Sequence, residues 1–243
     1  MNDEKFRDKN TEDLCGAMAK MICAEEGEHP ASLKSPGYKE KELQQQLYNA
    51  INKMRVKFQD GMKLLFDGLR VMDPDAVEEY LPYMVVDETL EKMLEPENLI
   101  TGFNEGYTLQ DMFCWPEKMM ESMFSVASGL YQQRKFSDAA KAFSVLTMMN
   151  PLHSQYWIGQ GLATQFQKEN PESDIEDALN AHYMAMMLDP DNPYPFVYHA
   201  ECLIMLKQEK VAMVFLDMAE KRMPEGEHET LRTYIESLKK GRR

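Results

Sequence analysis

Pro190 and Pro224 stand 34 residues apart, and each closes a helix-like stretch with alanines at matched offsets, Ala178 and Ala185 before the first, Ala212 and Ala219 before the second. A fixed period of this length marks a chain of stacked helix pairs, each able to bury its apolar face only against a neighbour. Pro151 closes an earlier stretch with Ala139, Phe143 and Leu146. The interval from Pro151 to Pro190 is 39 residues, and the surplus falls in the polar segment Lys168 to Ser173 between the two helices of one pair. Lengthening a hairpin loop leaves the stacking intact. The first helices match as well: Met123, Ala127 and Leu130; Trp157, Gly161 and Thr164; Phe196, Ala200 and Leu203. The small middle residue lets paired helices approach closely. Thr164 and His182 depart from the larger or more apolar residues common at such places.

Strand-like alternation is scarce, and the expected fold is all-α: three tetratricopeptide-like helix pairs in a concave superhelix, with an N-terminal helical extension and a C-terminal capping helix. An apolar fraction of 44% supports a real core. The boundaries read from the sequence are a weakly ordered segment over 1–36, a helical extension over 37–97, the repeats over 98–225, and a C-terminal helix and basic tail over 226–243. In the extension, Leu43, Leu47, Ala50, Met54, Phe58, Met62, Leu65, Leu69 and Met72 recur at steps of mostly three and four. They make one helix face close to a heptad seam, which serves a coiled coil, a homodimer included, or packs back on the chain's own repeats. Gly61 and Gly68 weaken that helix. A second helix is predicted from Pro74 to Leu94 with Val77, Leu81, Met84, Val85 and Met93 as its apolar set and Pro82 as an irregularity. In the first 36 residues Leu14, Ala17, Met18, Met21 and Ile22 form one weak amphipathic stretch. Leu231, Tyr234, Ile235 and Leu238 form the inner face of the cap.

A formal charge of −14 repels phosphate backbones and anionic head groups, which argues against nucleic acid and against stable membrane association. No apolar run reaches the length of a membrane span, and the start MNDEKFRDKN lacks the apolar core of a signal peptide, so a cytoplasmic location is expected. Cys15, Cys23, Cys114 and Cys202 lack C-x-x-C spacing and read as reduced thiols. The five histidines, 29, 153, 182, 199 and 228, show no ligand spacing, and H-E-x-x-H, G-x-S-x-G and P-loop motifs are missing. No enzyme, metal or cofactor is indicated. Methionine is abundant at 21, mostly as core filler, and it suits apolar surfaces that must adapt to irregular shapes.

The functional clue is a second apolar arc on the first helices. Phe124, Ser128 and Tyr131 lie opposite the packing arc, and the same offsets give Ile158, Leu162, Gln165 and Phe166, then Tyr194, Val197, Glu201, Ile204 and Met205. In a solenoid this arc lines the concave face. Aromatic and aliphatic side chains there, with a few polar groups, fit an extended peptide with apolar anchors. Filling of the concavity by the N-terminal helices is the competing reading.

The segments EGYTLQDMFCWPEKMM (105–120), SGLYQQRKFSDAAKAF (128–143) and FVYHAECLIMLKQEKVA (196–212) carry a likeness to a known family. The chain resembles the class II type III secretion chaperones over residues 98–222, with Gly106, Thr108, Leu109 and Asp111 as the most specific match. The resemblance implies a groove that holds an extended proline- and leucine-containing segment of a hydrophobic translocator. It also implies that Phe124, Ser128, Tyr131, Phe136, Phe143 and Met149 stand at groove positions. Ser128 replaces a frequent aromatic, and residues 1–97 depart from the short N-terminal helix of the family. An adaptor that clamps a carboxylate needs Lys, Arg and Asn on the arcs, where this chain offers Glu121, Ser128, Gln155, Gln165 and Glu201. A transcriptional co-regulator acting by protein binding is the other alternative.

Overall fold

The computed structural model of the chain describes residues 36–84, 96–167, 171–224, 226 and 228–240, together with 12, 15, 16, 19, 20 and 23. Two compact units are present, Met1–Gln59 and Asp60–Arg243. Helix α1, Pro36–Met72, contributes to both. In the first unit Gln44 donates to the Glu12 carbonyl at 3.2 Å, and Cys15 and Ala19 are buried. Leu14, Ala17, Met18, Met21 and Ile22 lie outside the described residues.

The second unit begins at Asp60, upstream of the boundary at 98 read from the sequence. After the last turns of α1 come α2 (Pro74–Tyr80), a 3-10 turn (Leu81–Met84), α3 (Pro96–Asn104) and α4 (Leu109–Met112). The repeats follow as three pairs: α5 (Glu117–Gln132) with α6 (Phe136–Met149), α7 (Ser154–Gln165) with α8 (Pro171–Leu188), and α9 (Pro193–Met205) with α10 (Glu209–Glu220). Helix α11 (Glu229–Lys240) caps them. Among the described residues there is no strand, and no helix is long and apolar enough to cross a membrane.

The small residues do the packing the spacing implied. Ala127, Ala139, Ala178, Ala185, Ala200, Ala212 and Ala219 are all fully buried. The interior of the first pair is rich in methionine: Met119, Met120 and Met123 are 0% exposed and Met149 1%. Phe136 and Glu209 open second helices after the same tight turn, in which Arg134 (φ 61°) and Lys207 (φ 60°) take the left-handed conformation. That geometry lets the Lys135 amide reach the Leu130 carbonyl and the Gln208 amide reach the Leu203 carbonyl. In the middle pair the connection covers 166–170, of which 168–170 lie outside the described set. Pro171, Glu172 and Ser173, read from the sequence as loop, belong instead to α8, whose 18 residues exceed the 14 of α6 and 12 of α10.

Two expectations upstream need correction. The seam on α1 is not one continuous buried stripe: Met54 and Met72 are 52% and 59% exposed, whereas Leu65 and Leu69 are fully buried. Gly61 and Gly68 are contact points rather than weak spots. A Cβ on Gly61 would stand 2.4 Å from the Lys141 carbonyl oxygen of α6, and one on Gly68 2.3 Å from Val126 of α5. The end of α1 thus packs directly on the first pair. The second correction is that α2 ends at Tyr80 rather than near Leu94. Pro82 lacks an amide hydrogen and cannot continue the α-helical hydrogen-bond pattern, so the chain passes into a 3-10 turn at Leu81–Met84. Val85 and Met93 lie outside the described residues. Tyr80 is fully buried, and its hydroxyl donates to the Lys118 carbonyl at 3.3 Å.

The Gly-x-Thr-Leu-x-Asp segment proves to be a local lock. Gly106 takes φ 89°, and Thr108 and Asp111 form a reciprocal capping box on α4. The Thr108 hydroxyl and amide hold the Asp111 carboxyl below its usual range. Gln110 then ties this turn to α5 and α6: its Nε2 donates to Glu117 at 3.1 Å, and its Oε1 accepts from Asn150 at 2.8 Å.

His182 of α8 has no exposed surface, and neither ring nitrogen has a hydrogen-bond partner. Burial, and then the charge of His199, pushes its pKa down to about 3. An unfolded histidine titrates near 6.5, so below that pH the unfolded chain binds the extra proton and folding is disfavoured. Stability from this residue is complete above pH ~6.5 and is lost as pH falls toward 3, by up to ~1.4 kcal/mol per pH unit. Urea denaturation at pH 7, 6 and 5 is expected to show a steeper loss for the natural chain than for His182→Leu. Parallel lines would refute it.

Candidate functional site

At 100° per residue, positions i, i+4 and i+7 of a helix share one face. On α5 these are Phe124, Ser128 and Tyr131; on α7 Ile158, Leu162 and Gln165; on α9 Tyr194, Tyr198 and Glu201. Each of the three helices therefore presents its side chains in the same register. Gln165 Nε2 lies 3.4 Å from Glu201 Oε2, joining α7 to α9. Tyr234 of α11 donates its hydroxyl to Glu201 Oε1. The Tyr131 hydroxyl, on the first pair, is raised by burial and then by the charge of Glu201 on the third. The two hydrogen bonds on Glu201 bring α7, α9 and α11 together on one face.

The rings form two groups on this face. Phe124 stands edge-on to Phe143 at 5.9 Å and against Tyr156 at 5.7 Å, with His153 stacked on Tyr156 at 4.1 Å. Tyr131 meets Phe136 edge-on at 5.5 Å, and Phe136 continues to Phe166 at 5.3 Å. Arg134 and Lys135 border the Phe136 and Phe166 rings. On α9, Tyr194 faces Tyr198 at 6.3 Å and reaches His228 in the turn before α11. Burial dominates the hydroxyl shifts, pushing Tyr156 and Tyr198 up to about 12.

Of the residues singled out from the sequence, Phe124, Ser128, Tyr131, Phe136, Ile158, Leu162 and Glu201 are half-buried, and Phe166 and Tyr194 are 40% and 36% exposed. These have surface to offer. Phe143, Met149, Val197 and Gln165 do not, at 3%, 1%, 0% and 4% exposure. Phe143 packs its ring on Gly159, where a Cβ would stand 2.2 Å away. Val197 sits about 60° off the line of Tyr194 and Glu201, which turns it into the core. Gln165 is buried while hydrogen-bonded to Glu201, Cys202 and Met205. These four shape the face from beneath.

Tyr156, Tyr198 and Tyr234 were missed. The i+4 step from Tyr194 to Tyr198 was a usable signal, whereas Tyr234 counted only toward the cap. Leu231 and Ile235 do fill that cap, while Tyr234, 42% exposed, turns to the concave face. Among the described residues no three His, Cys, Asp or Glu side chains gather as a metal site. Cys202 is buried and its thiol is pushed up to about 12 by burial, then by Glu201.

No family model matches the chain. The chaperone protein SicA of Salmonella typhimurium is 24% identical over 147 residues, 59% of this chain and 84% of the relative. The low calcium response locus protein H of Yersinia pestis is 26% identical over 118 residues, 48% of this chain and 65% of the relative. Both relatives are class II type III secretion translocator chaperones. The solved Yersinia enterocolitica translocator chaperone SycD superposes with a TM-score of 0.50 at 23% identity, over 55% of this chain and 96% of that one. SycD thus shares the all-helical repeat fold with a little over half of the chain.

Proposed function

We propose that the chain is a cytoplasmic, non-enzymatic chaperone of type III secretion. It holds an extended proline- and leucine-containing segment of a hydrophobic translocator on the face of α5, α7, α9 and α11, which keeps the cargo soluble and unassembled before export. The observation that carries the reading is the row of partly exposed aromatic and aliphatic side chains in one register on successive first helices, Phe124, Tyr131, Ile158, Leu162 and Tyr194. SicA is named a chaperone and SycD a translocator chaperone, which supports the same use of the same fold. The residues proposed to touch cargo are these five with Ser128, Phe136, Phe166 and Glu201, while Phe143, Met149, Gln165 and Val197 support them.

Binding through apolar anchors depends strongly on side-chain size and weakly on salt. A buried aromatic or aliphatic anchor commonly costs ~2 kcal/mol on truncation, about thirtyfold in affinity, while exposed ion pairs contribute ~0 to 1 kcal/mol. Co-purification from native cytosol with mass spectrometry identifies the cargo. Titration with a peptide of its bound segment is expected to show at least a tenfold loss for Tyr131→Ala and for Leu162→Ala, with the fold retained. Raising salt from about 0.05 to 0.5 M should change affinity less than about threefold, since screening acts on exposed charges. Salt-abolished binding with both variants unaffected would place recognition on the acidic outer surface instead.

A further inference from the structure

The third of the first helices, α9, brings a carboxylate to the concave face, and its surroundings are aromatic. Glu201 is half-buried and holds the same register on α9 as Tyr131 on α5 and Gln165 on α7. It accepts hydrogen bonds from the Tyr234 hydroxyl and from Gln165. Its charge also reaches the hydroxyls of Tyr131 and Tyr198, after burial as the larger cause. Tyr234 of α11 thus touches the carboxylate, and Tyr198 stands about one turn before it on the same side of α9. Among the described residues Glu201 forms no ion pair, although Lys118, Lys141, Lys239 and Lys240 elsewhere in the chain are paired with acids.

A half-buried carboxylate beside tyrosine rings is complementary to a cation. The carboxylate supplies a charge-assisted hydrogen bond and the ring faces supply cation–π attraction. A chain of charge −14 adds a field that favours cations and repels acidic segments. We infer that Glu201 and the tyrosines around it form a pocket for a basic side chain, lysine or arginine, at one fixed position of the extended segment held on this face. The inference rests on the proposed groove and adds to it a polar specificity element. Apolar anchors give affinity on either side, while the basic residue sets the register in which the segment lies. Arginine suits the site better than lysine, because its planar guanidinium stacks on a ring while donating to both carboxylate oxygens.

The test uses the full chain and a display library of random twelve-residue peptides. Selected peptides are expected to carry a basic residue at one register relative to their leucine and proline positions, and selection on Glu201→Gln is expected to lose that preference while keeping the apolar pattern. One selected peptide is then synthesised with arginine and with citrulline at that position, which removes the charge and keeps the shape. Fluorescence anisotropy should show at least a tenfold preference for arginine on the natural chain and less than threefold on Glu201→Gln. The arginine and citrulline comparison on the natural chain stands even if Glu201→Gln does not fold. Apolar peptides without a basic preference, or equal binding of the two synthetic peptides, overturn the inference and leave the groove standing. Retention of the arginine preference by folded Glu201→Gln also overturns it. Failure to select any peptide overturns both.

Discussion

A fragment beginning at residue 98 is expected to lose cooperative folding, whereas one beginning at Lys53 keeps it. The repeats alone satisfy the three-pair minimum, and a boundary at 98 follows from that rule. The packing indicates otherwise. Leu65 and Leu69 of α1 are 0% and 1% exposed, Ala76 and Val77 of α2 are 4% and 7%, and Tyr80 is 0%. The end of α1 meets the first pair so closely that Gly61 and Gly68 admit no Cβ. Removing a large buried side chain costs ~2 to 5 kcal/mol, and three large ones exceed much of the ~5 to 15 kcal/mol that stabilises a domain. The cut at 98 also bares Val126 and Val145 of the first pair, invites aggregation, and deprives the Trp115 indole of the Tyr83 carbonyl to which it donates at 3.1 Å. Thermal melts followed by circular dichroism should be sharp for 53–243 and broad for 98–243, and only the shorter fragment should bind a hydrophobic dye. A sharp melt for 98–243 would show that the repeats close their own core.

Gly161→Ala is expected to destabilise the chain by about 3 kcal/mol, even though alanine is the better helix former by ~1 kcal/mol. A Cβ at Gly161 would stand 2.4 Å from His182 Cε1 and 2.6 Å from Nδ1. His182 is fully enclosed, with Tyr198 packed on its ring at 5.7 Å, so it has nowhere to swing. Because Tyr198 belongs to the concave face, the same change should also disturb cargo binding. Urea denaturation measures the first effect. Gly161→Ala combined with His182→Ala should recover part of the loss, because the smaller side chain vacates the space the new methyl needs. A double variant no more stable than Gly161→Ala alone would mean that the clash lies elsewhere.

Repeat architecture was legible because backbone punctuation and small residues recur in register: proline ends the second helices, and Ala127, Gly161 and Ala200 mark the close approaches of the first. The concave face was legible in outline only. Hydrophobicity does not separate a valine that faces the core from one that faces a groove, so Val197 was placed one step off the line that runs through Tyr198. Met149 and Phe143 were carried by family likeness to positions that the packing encloses. Gly61 and Gly68 were misread for a different reason. Helix propensity is a local property, and the value of a missing Cβ depends on Lys141 and Val126, which lie far away in the chain. Tyr234 has one hydroxyl and two neighbourhoods, and nothing in the spacing of Leu231, Ile235 and Leu238 says which of them that hydroxyl enters.

The methionine-rich interior of the first pair ties this chain to its redox surroundings. Oxidation converts a thioether into a polar sulfoxide that a close-packed interior cannot accept. Met184, Met187 and Met205 are 38%, 63% and 46% exposed and meet a dissolved oxidant directly, whereas Met119, Met120, Met123 and Met149 are sealed. Peroxide therefore reaches the sealed set only through transient opening of α5 and α6, and a sulfoxide formed during an opening persists until a reductase reverses it. The interior sulfurs act as a cumulative record of how often the first pair opens, and cargo that holds the pair shut slows the rate at which that record is written.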